Sequence, residues 1–221
     1  MIAARSTRKL LFSTAAAAQP QFAATTSASR PTIEEITRSA IKVVDGPKNV
    51  GRKAIAAKDL KTGMVINEFS QPLFRQPTMH TVCLTNGVHV PPTFGAEFIS
   101  HACGPDTNIS MVVQPDARSV KVVVTKDTKC GDDLYFNYNT TEWTMSCPFQ
   151  CTCHVCMNEG KSRLVRGFAF LSNDEQDELL QGYVSAYVRS LAMKQRKQTR
   201  TSVTGNTAAA APKTETASAA I

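Results

Sequence analysis

The 221-residue sequence has no unbroken apolar run of the 18 or more residues that a membrane-spanning helix requires; the nearest, residues 10–22, is interrupted by Ser13, Thr14 and Gln19. No membrane partner is expected. Acidic residues are missing from positions 1–33, which hold four bases, and positions 194–221 hold five bases against Glu215 alone. Positions 34–193 carry 16 bases against 17 acids, so the net charge of +7 belongs to the ends of the chain. A nearly neutral middle lacks the concentrated positive surface of a nucleic-acid binder, and no direct nucleic-acid partner is expected. The chain also lacks internal repeats and the length for two enzyme domains. One domain of ordinary size with tails fits it.

The seven cysteines are odd in number, and four of them (147, 151, 153 and 156) fall within ten residues. That clustering favours a metal site in a reducing compartment over a disulfide framework. In Cys151-Thr-Cys153-His-Val-Cys156, three thiolates can converge on one tetrahedral ion if a fourth ligand arrives from elsewhere. Spacing leaves Cys103, Cys130, Cys147 and His154 open for that place. A redox pair at Cys153 and Cys156 is the competing reading, but it needs a thioredoxin-like strand-to-helix setting that this sequence does not offer. Zinc is the expected ion, and the segment around it should unfold without metal.

Residues 1–33 are rich in Ala, Ser and Thr and carry Arg without acids, the composition of an organelle import segment, mitochondrial or other. Secretion is disfavoured because it would oxidise the clustered thiols. Nucleus or cytoplasm is the alternative, through the basic stretch at 194–200. Residues 34–140 read as a mainly β domain, with short apolar runs at 41–44, 54–57 and 65–69 ended by Gly, Pro or charge. Asn86-Gly87 predicts a hairpin with a type I′ turn, and a second hairpin joins 108–114 to 119–125 through residues 115–118. Ser172 and Glu175 form a capping box ahead of Leu179, Leu180, Tyr183, Tyr187 and Leu191 at helical spacing, which predicts one amphipathic helix packed on the domain within 166–193. The basic, Ala/Thr-rich tail at 194–221 is expected to be disordered. Trp143 is expected to pack residues 141–165 onto the sheet, and His80 and His89 to be structural.

Four stretches, in this order, resemble those of a known family. Asn49-Val-Gly51-Arg52-Lys53 leads into Asp59-Leu-Lys-Thr-Gly63-Met-Val-Ile-Asn-Glu68, and Phe98-Ile-Ser100-His101-Ala-Cys103-Gly-Pro105-Asp106 follows. Next come Gly131-Asp-Asp-Leu-Tyr135-Phe136-Asn-Tyr138 and Phe149-Gln-Cys151-Thr-Cys153-His-Val-Cys156. Over residues 41–160 the chain is similar to SET-domain protein lysine methyltransferases with a zinc-binding post-SET segment, here 141–165. The resemblance implies a fold of small β-sheets with a pseudoknot, in which the segment at 100–103 threads beneath a loop bearing Tyr138. It nominates Cys103 as the fourth zinc ligand beside Cys151, Cys153 and Cys156.

The cofactor so implied is S-adenosylmethionine, cradled by Gly51 with the main chain of Arg52 and Lys53, with Ser100, His101 and Tyr138 against it and Phe149 stacked on its adenine. Standing alone, Gly51 would read as a loop glycine, His101 as a buried histidine and Phe149 as a core residue. Free lysine has a pKa near ~10.4, so a site that methylates it must exclude water and disfavour the ammonium. The resemblance implies Tyr138 as the catalytic tyrosine that orients the amine, with Phe136 beside it allowing more than one methyl. A monomer acting on a protein or peptide lysine is the expected form. Two other readings stay open: an inactive zinc module that binds a protein partner, and a methyltransferase of a small molecule. The chain departs from the family pattern at Lys53, Ser100 and Asp106, and it has no tyrosine before Tyr135 to serve as a second channel tyrosine.

Overall fold

In a computed structural model, residue 32 and residues 39–46, 51–160 and 163–207 are described. The import segment expected at 1–33 lies outside the described residues apart from Thr32, as do Asn49 and the end of the tail at 208–221. The chain is mainly β, built of small sheets with few helices, as expected.

Strands β1 (Ile41–Asp45) and β2 (Arg52–Ala56) pair antiparallel. A three-stranded antiparallel sheet runs in the order β3 (Val65–Phe69), β8 (Val120–Val124), β7 (Ile109–Val113). In its central strand, β8, burial alternates: Val120, Val122 and Val124 are buried on one face while Lys121 and Val123 are only partly covered. Period-two alternation of this kind commits one face of a strand to the core. The expected hairpin at 108–125 is therefore present as β7 and β8.

The Asn86-Gly87 hairpin is also present, as β4 (Val82–Thr85) and β5 (Val88–Val90), but its turn is not type I′. That turn needs positive φ at both central residues, and only Gly87 has it, at 64°. A register shift between Cys83 and Thr85 accompanies the change.

Among the described strands, one pairing is parallel. β6 (Ser100–His101) lies beside β9 (Tyr135–Phe136), with Ser100 opposite Tyr135 and His101 opposite Phe136. Residues 35 positions apart are thereby set side by side, and the adjacency agrees with the crossing that the family resemblance implies. Beyond β9, β10 (Phe149–Gln150) pairs antiparallel with β11 (Leu164–Val165) around the short helix His154–Asn158.

The single C-terminal helix expected is divided. Helix Asn173–Gln181 stops before Gly182, and a second helix runs from Ala186 to Thr207. The second continues past Lys194, where a disordered tail was expected, because the basic residues there are good helix formers and the apolar stripe of Val184, Val188 and Ala192 anchors its start. Trp143 also packs differently from expectation. Its indole stacks on Phe168, centroids 5.9 Å apart, within a cluster shared with those helices and not with the sheets. Gly167 permits that approach: a Cβ there would meet the Trp143 carbonyl oxygen at 2.6 Å.

Candidate functional site

Two features meet beside the β6–β9 pairing. The first is a cluster of the Cys103, Cys151, Cys153 and Cys156 sulfurs, all buried and all within 4.8 Å of one another. Cys103 lies 3.9 Å from both Cys151 and Cys156. Four sulfurs at about 2.3 Å from one tetrahedral zinc would stand about 3.8 Å apart, so the set can hold one such ion. Of the four candidates that spacing left open, the structure brings in Cys103. Cys130 and Cys147 are exposed, and the His154 ring contacts the Asn158 side chain.

Each thiol is set by local backbone. Cys103 ends the extended run from β6, Cys153 caps the helix His154–Asn158, and the N–H groups of Cys103 and Cys153 donate to Cys153 Sγ and Cys151 Sγ, each at 3.5 Å. Burial, then repulsion among the sulfurs, pushes Cys103 far above the ordinary thiol range, and burial lifts Cys151 to about 12. At Cys153 burial also pushes upward, but backbone donors from Cys156 and Cys103 outweigh it and draw the thiol down to about 7. A buried set of this kind is stable as thiolates only around a cation.

The second feature is a cavity of about 510 Å³. Arg52, Ser100, His101, Phe136, Tyr138 and Phe149 all line it, although they come from four separate stretches of sequence. Gly51 and Lys53 do not. Gly51 shapes the turn before β2 with φ at 77°, and Lys53 pairs with Val44 in the ladder while its ammonium sits 2.6 Å from Asp133. The Arg52 guanidinium stacks over Phe98 at 4.2 Å.

Aromatic rings form much of the wall. Tyr138 lies 4.6 Å from Phe136 and 5.9 Å from Phe149, and His101 sits edge-on to both Tyr138 and Phe149 at 5.2 and 5.6 Å. The Tyr138 hydroxyl donates to the Ile99 carbonyl at 2.8 Å, and burial lifts its pKa to about 12. It is therefore a neutral phenol.

His101 joins the two features. Its Nδ1 accepts the Tyr138 backbone N–H at 3.1 Å, which leaves the proton on Nε2, 3.3 Å from Cys103 Sγ. Burial, with the Arg163 charge second, lowers its pKa to about 4, so the imidazole is neutral. Sulfur cluster and cavity wall thus share one hydrogen-bonded path.

Glu142 is the site residue that sequence reasoning missed. It lines the cavity, is only 9% exposed, and accepts the Cys83 N–H at Oε1 over 2.8 Å. The one signal was its place four residues past Tyr138, a helical-turn spacing realised here by its own N–H donating to the Tyr138 carbonyl at 3.0 Å. His80, expected to be structural, lies exposed at the cavity rim; His89 is buried away from it.

No family model matches this chain, and no curated protein matches it. Solved structures similar to part of it include the polycomb repressive complex 2 of Chaetomium thermophilum, at 20% identity and a TM-score of 0.39. An active polycomb repressive complex 2 in the stimulated state is similar at 19% identity and a TM-score of 0.38. In both, the match covers 45% of this chain and 15% of that chain.

Proposed function

We propose that this protein is a SET-type methyltransferase that uses S-adenosylmethionine to methylate a lysine side chain of a protein, with a zinc ion holding its post-SET segment. One observation carries the reading: residues from all four motifs that suggested the family, the first represented by Arg52 alone, meet at one sulfur cluster and one aromatic cavity linked through His101. Each bland alternative for a single residue leaves that convergence without a cause.

The cavity suits the cofactor in size and lining, since small-molecule sites of roughly 300–1,000 Å³ combine apolar walls with a few polar groups. Arg52, Ser100, His101 and Phe149 would hold it, Phe149 offering a flat apolar face. When bound, it supplies an electrophilic methyl group on a sulfonium. Tyr138 fixes one wall of the path to that methyl, its ring clamped by the hydroxyl bond to Ile99 and the backbone bond to His101. Preorganised dipoles of this kind act without reorganising during the reaction. Phe136, packed on Tyr138, presents no hydroxyl to restrict the amine. Organelle import, a monomeric state and a protein partner belong to the same proposal.

A second reading, an inactive zinc module, draws support from Tyr138 being the one tyrosine among the lining residues. Calorimetry with S-adenosylmethionine on zinc-loaded protein separates the two, because only the enzyme requires binding. Labelled-methyl uptake by lysine peptides then measures transfer. Tyr138→Phe should lower kcat by about 100-fold with the fold retained. Unchanged turnover in that variant overturns the role given to Tyr138.

A further inference from the structure

Glu142 is a buried carboxylate without a cation. Its Oε1 accepts the Cys83 N–H at 2.8 Å, and among the described residues no base forms an ion pair with it. Burying an ionised carboxyl without a partner is costly, and a glutamine would accept the Cys83 N–H without that cost. A carboxylate at this place is explained if a cation arrives from outside. Glu142 lines the same cavity as Tyr138 and Phe136, and its N–H donates to the Tyr138 carbonyl at 3.0 Å.

We propose that Glu142 receives the substrate's ammonium group and takes from it the proton that must leave before the nitrogen can accept a methyl. This assignment rests on the methyltransferase reading above and names a proton acceptor for it.

The other groups lining the cavity are poorly placed for the task. His101 uses Nδ1 for the Tyr138 N–H and turns Nε2 to a cysteine, and the Tyr138 hydroxyl donates to Ile99. Glu97 spends a carboxylate oxygen on the Gly95 N–H at 2.9 Å and is not buried. His80 is exposed.

An ammonium N–H bond breaks, its electron pair stays on nitrogen, and the proton forms an O–H bond on Glu142. The nitrogen pair then makes the new N–C bond as the donor's S–C bond breaks, that pair returning to sulfur. The product leaves as a methylated ammonium, and Glu142 passes its proton to water.

Burial pushes the Glu142 carboxyl up to about 7, against the opposing pull of the Cys83 N–H and the Thr141 hydroxyl. A base poised near neutrality is efficient, being ionised often enough to act and basic enough to hold the proton. From the packed elements, the Cys83 thiol and the Tyr187 phenol face it. Burial, with Glu142 second, raises Cys83 to about 12, and burial likewise raises Tyr187, so both are uncharged near neutrality.

Two measurements test the assignment. In cofactor-free, zinc-loaded protein with carboxyl-labelled glutamate, carbon NMR should show one carboxyl titrating near pH 7, a signal missing from Glu142→Gln. In transfer assays on a lysine peptide, Glu142→Gln should lower kcat by about 100-fold, leave the dissociation constant for S-adenosylmethionine unchanged, and lose the pH-profile limb near 7. A wild type that transfers methyl while Glu142→Gln matches its kcat and pH profile overturns the assignment alone. A Glu142 that titrates in the ordinary glutamate range does the same, and the wild-type titration decides the matter even if the variant fails to fold. A zinc-loaded wild type that binds no S-adenosylmethionine overturns the methyltransferase reading and takes this assignment with it.

Discussion

Among the described residues, nineteen buried apolar side chains bind the sheets to one another, whereas the cluster around Cys103 has six buried members, and four of those are cysteines. The sheet core contains Ile66, Met111, Val120, Val122 and Leu134, each essentially sealed from solvent. Burying such side chains stabilises by about 1.5–3 kcal/mol each. Around Cys103 the aliphatic contribution comes from Ala102 and Val165, with Tyr135, Met145, Phe149 and Val155 partly covering them. Two means of cohesion therefore meet at β6: packing on one side and, on the proposed reading, an ion on the other. Phe149 and His101 stand on that boundary, so the cavity inherits its order from both.

The largest expected effect comes from removing the ion. Structural zinc contributes on the order of 10–16 kcal/mol of apparent binding energy in small modules, far more than the few aliphatic groups near Cys103 can supply. Cys153→Ser, or chelation of the wild type, should release the metal and open residues 149–165 to hydrogen exchange while β3, β7 and β8 stay protected. Cofactor affinity should fall with the segment, because Phe149 belongs to it. One zinc per chain retained in Cys153→Ser contradicts the ligand set. The reciprocal change is smaller: Ile66→Ala in the sheet core should cost about 2–5 kcal/mol, read as a lower denaturation midpoint without metal release. Loss of zinc from that variant at temperatures where the sheets persist would erase the distinction between the two regions.

How much of this was legible in the sequence follows the same division. β7 and β8 are legible locally, as two stretches joined through the turn residues Pro115-Asp116-Ala117-Arg118. The capping box at Ser172 is equally local, three residues of backbone closing on themselves. The sulfur cluster was legible only in part: Cys151, Cys153 and Cys156 share one short segment, but nothing local selects Cys103, 48 residues before Cys151, over Cys147, four residues before it. Family resemblance supplied that choice. Glu142 escaped because a buried carboxylate has no pattern; its burial depends on Cys83, 59 residues away. The split of the C-terminal helix at Gly182 was missed because the apolar spacing continues through Tyr183 and Tyr187 while the Tyr183 hydroxyl is drawn to the Val113 N–H at 2.6 Å. Tertiary contact overrode the local period.

The smallest effect tests whether the boundary between the regions transmits energy. Ser172 accepts the Glu175 N–H at 3.3 Å, and Glu175 accepts the Ser172 N–H at 2.8 Å. The other Glu175 oxygen lies 2.6 Å from Arg163, whose carbonyl accepts the Cys151 N–H at 2.8 Å and whose charge faces Cys103 and Cys156. Ser172→Ala should cost about 1 kcal/mol of stability at neutral pH, the usual value of an N-cap. Burial pushes the Glu175 carboxyl upward, but the Ser172 donors and Arg163 outweigh it and hold its pKa below the ordinary value. A lowered folded-state pKa means that its contribution is complete above the ordinary glutamate range and is lost as pH falls through the lowered value. Part of the acid sensitivity should therefore disappear in Ser172→Ala. If the cap and the sulfur cluster are independent, Ser172→Ala and chelation will lower stability additively; if Glu175 and Arg163 couple them, the cost of removing Ser172 will shrink once the metal is gone. Denaturant titrations of both chains, with and without chelator, give the coupling directly, and a zero value confines the cap's influence to its own helix.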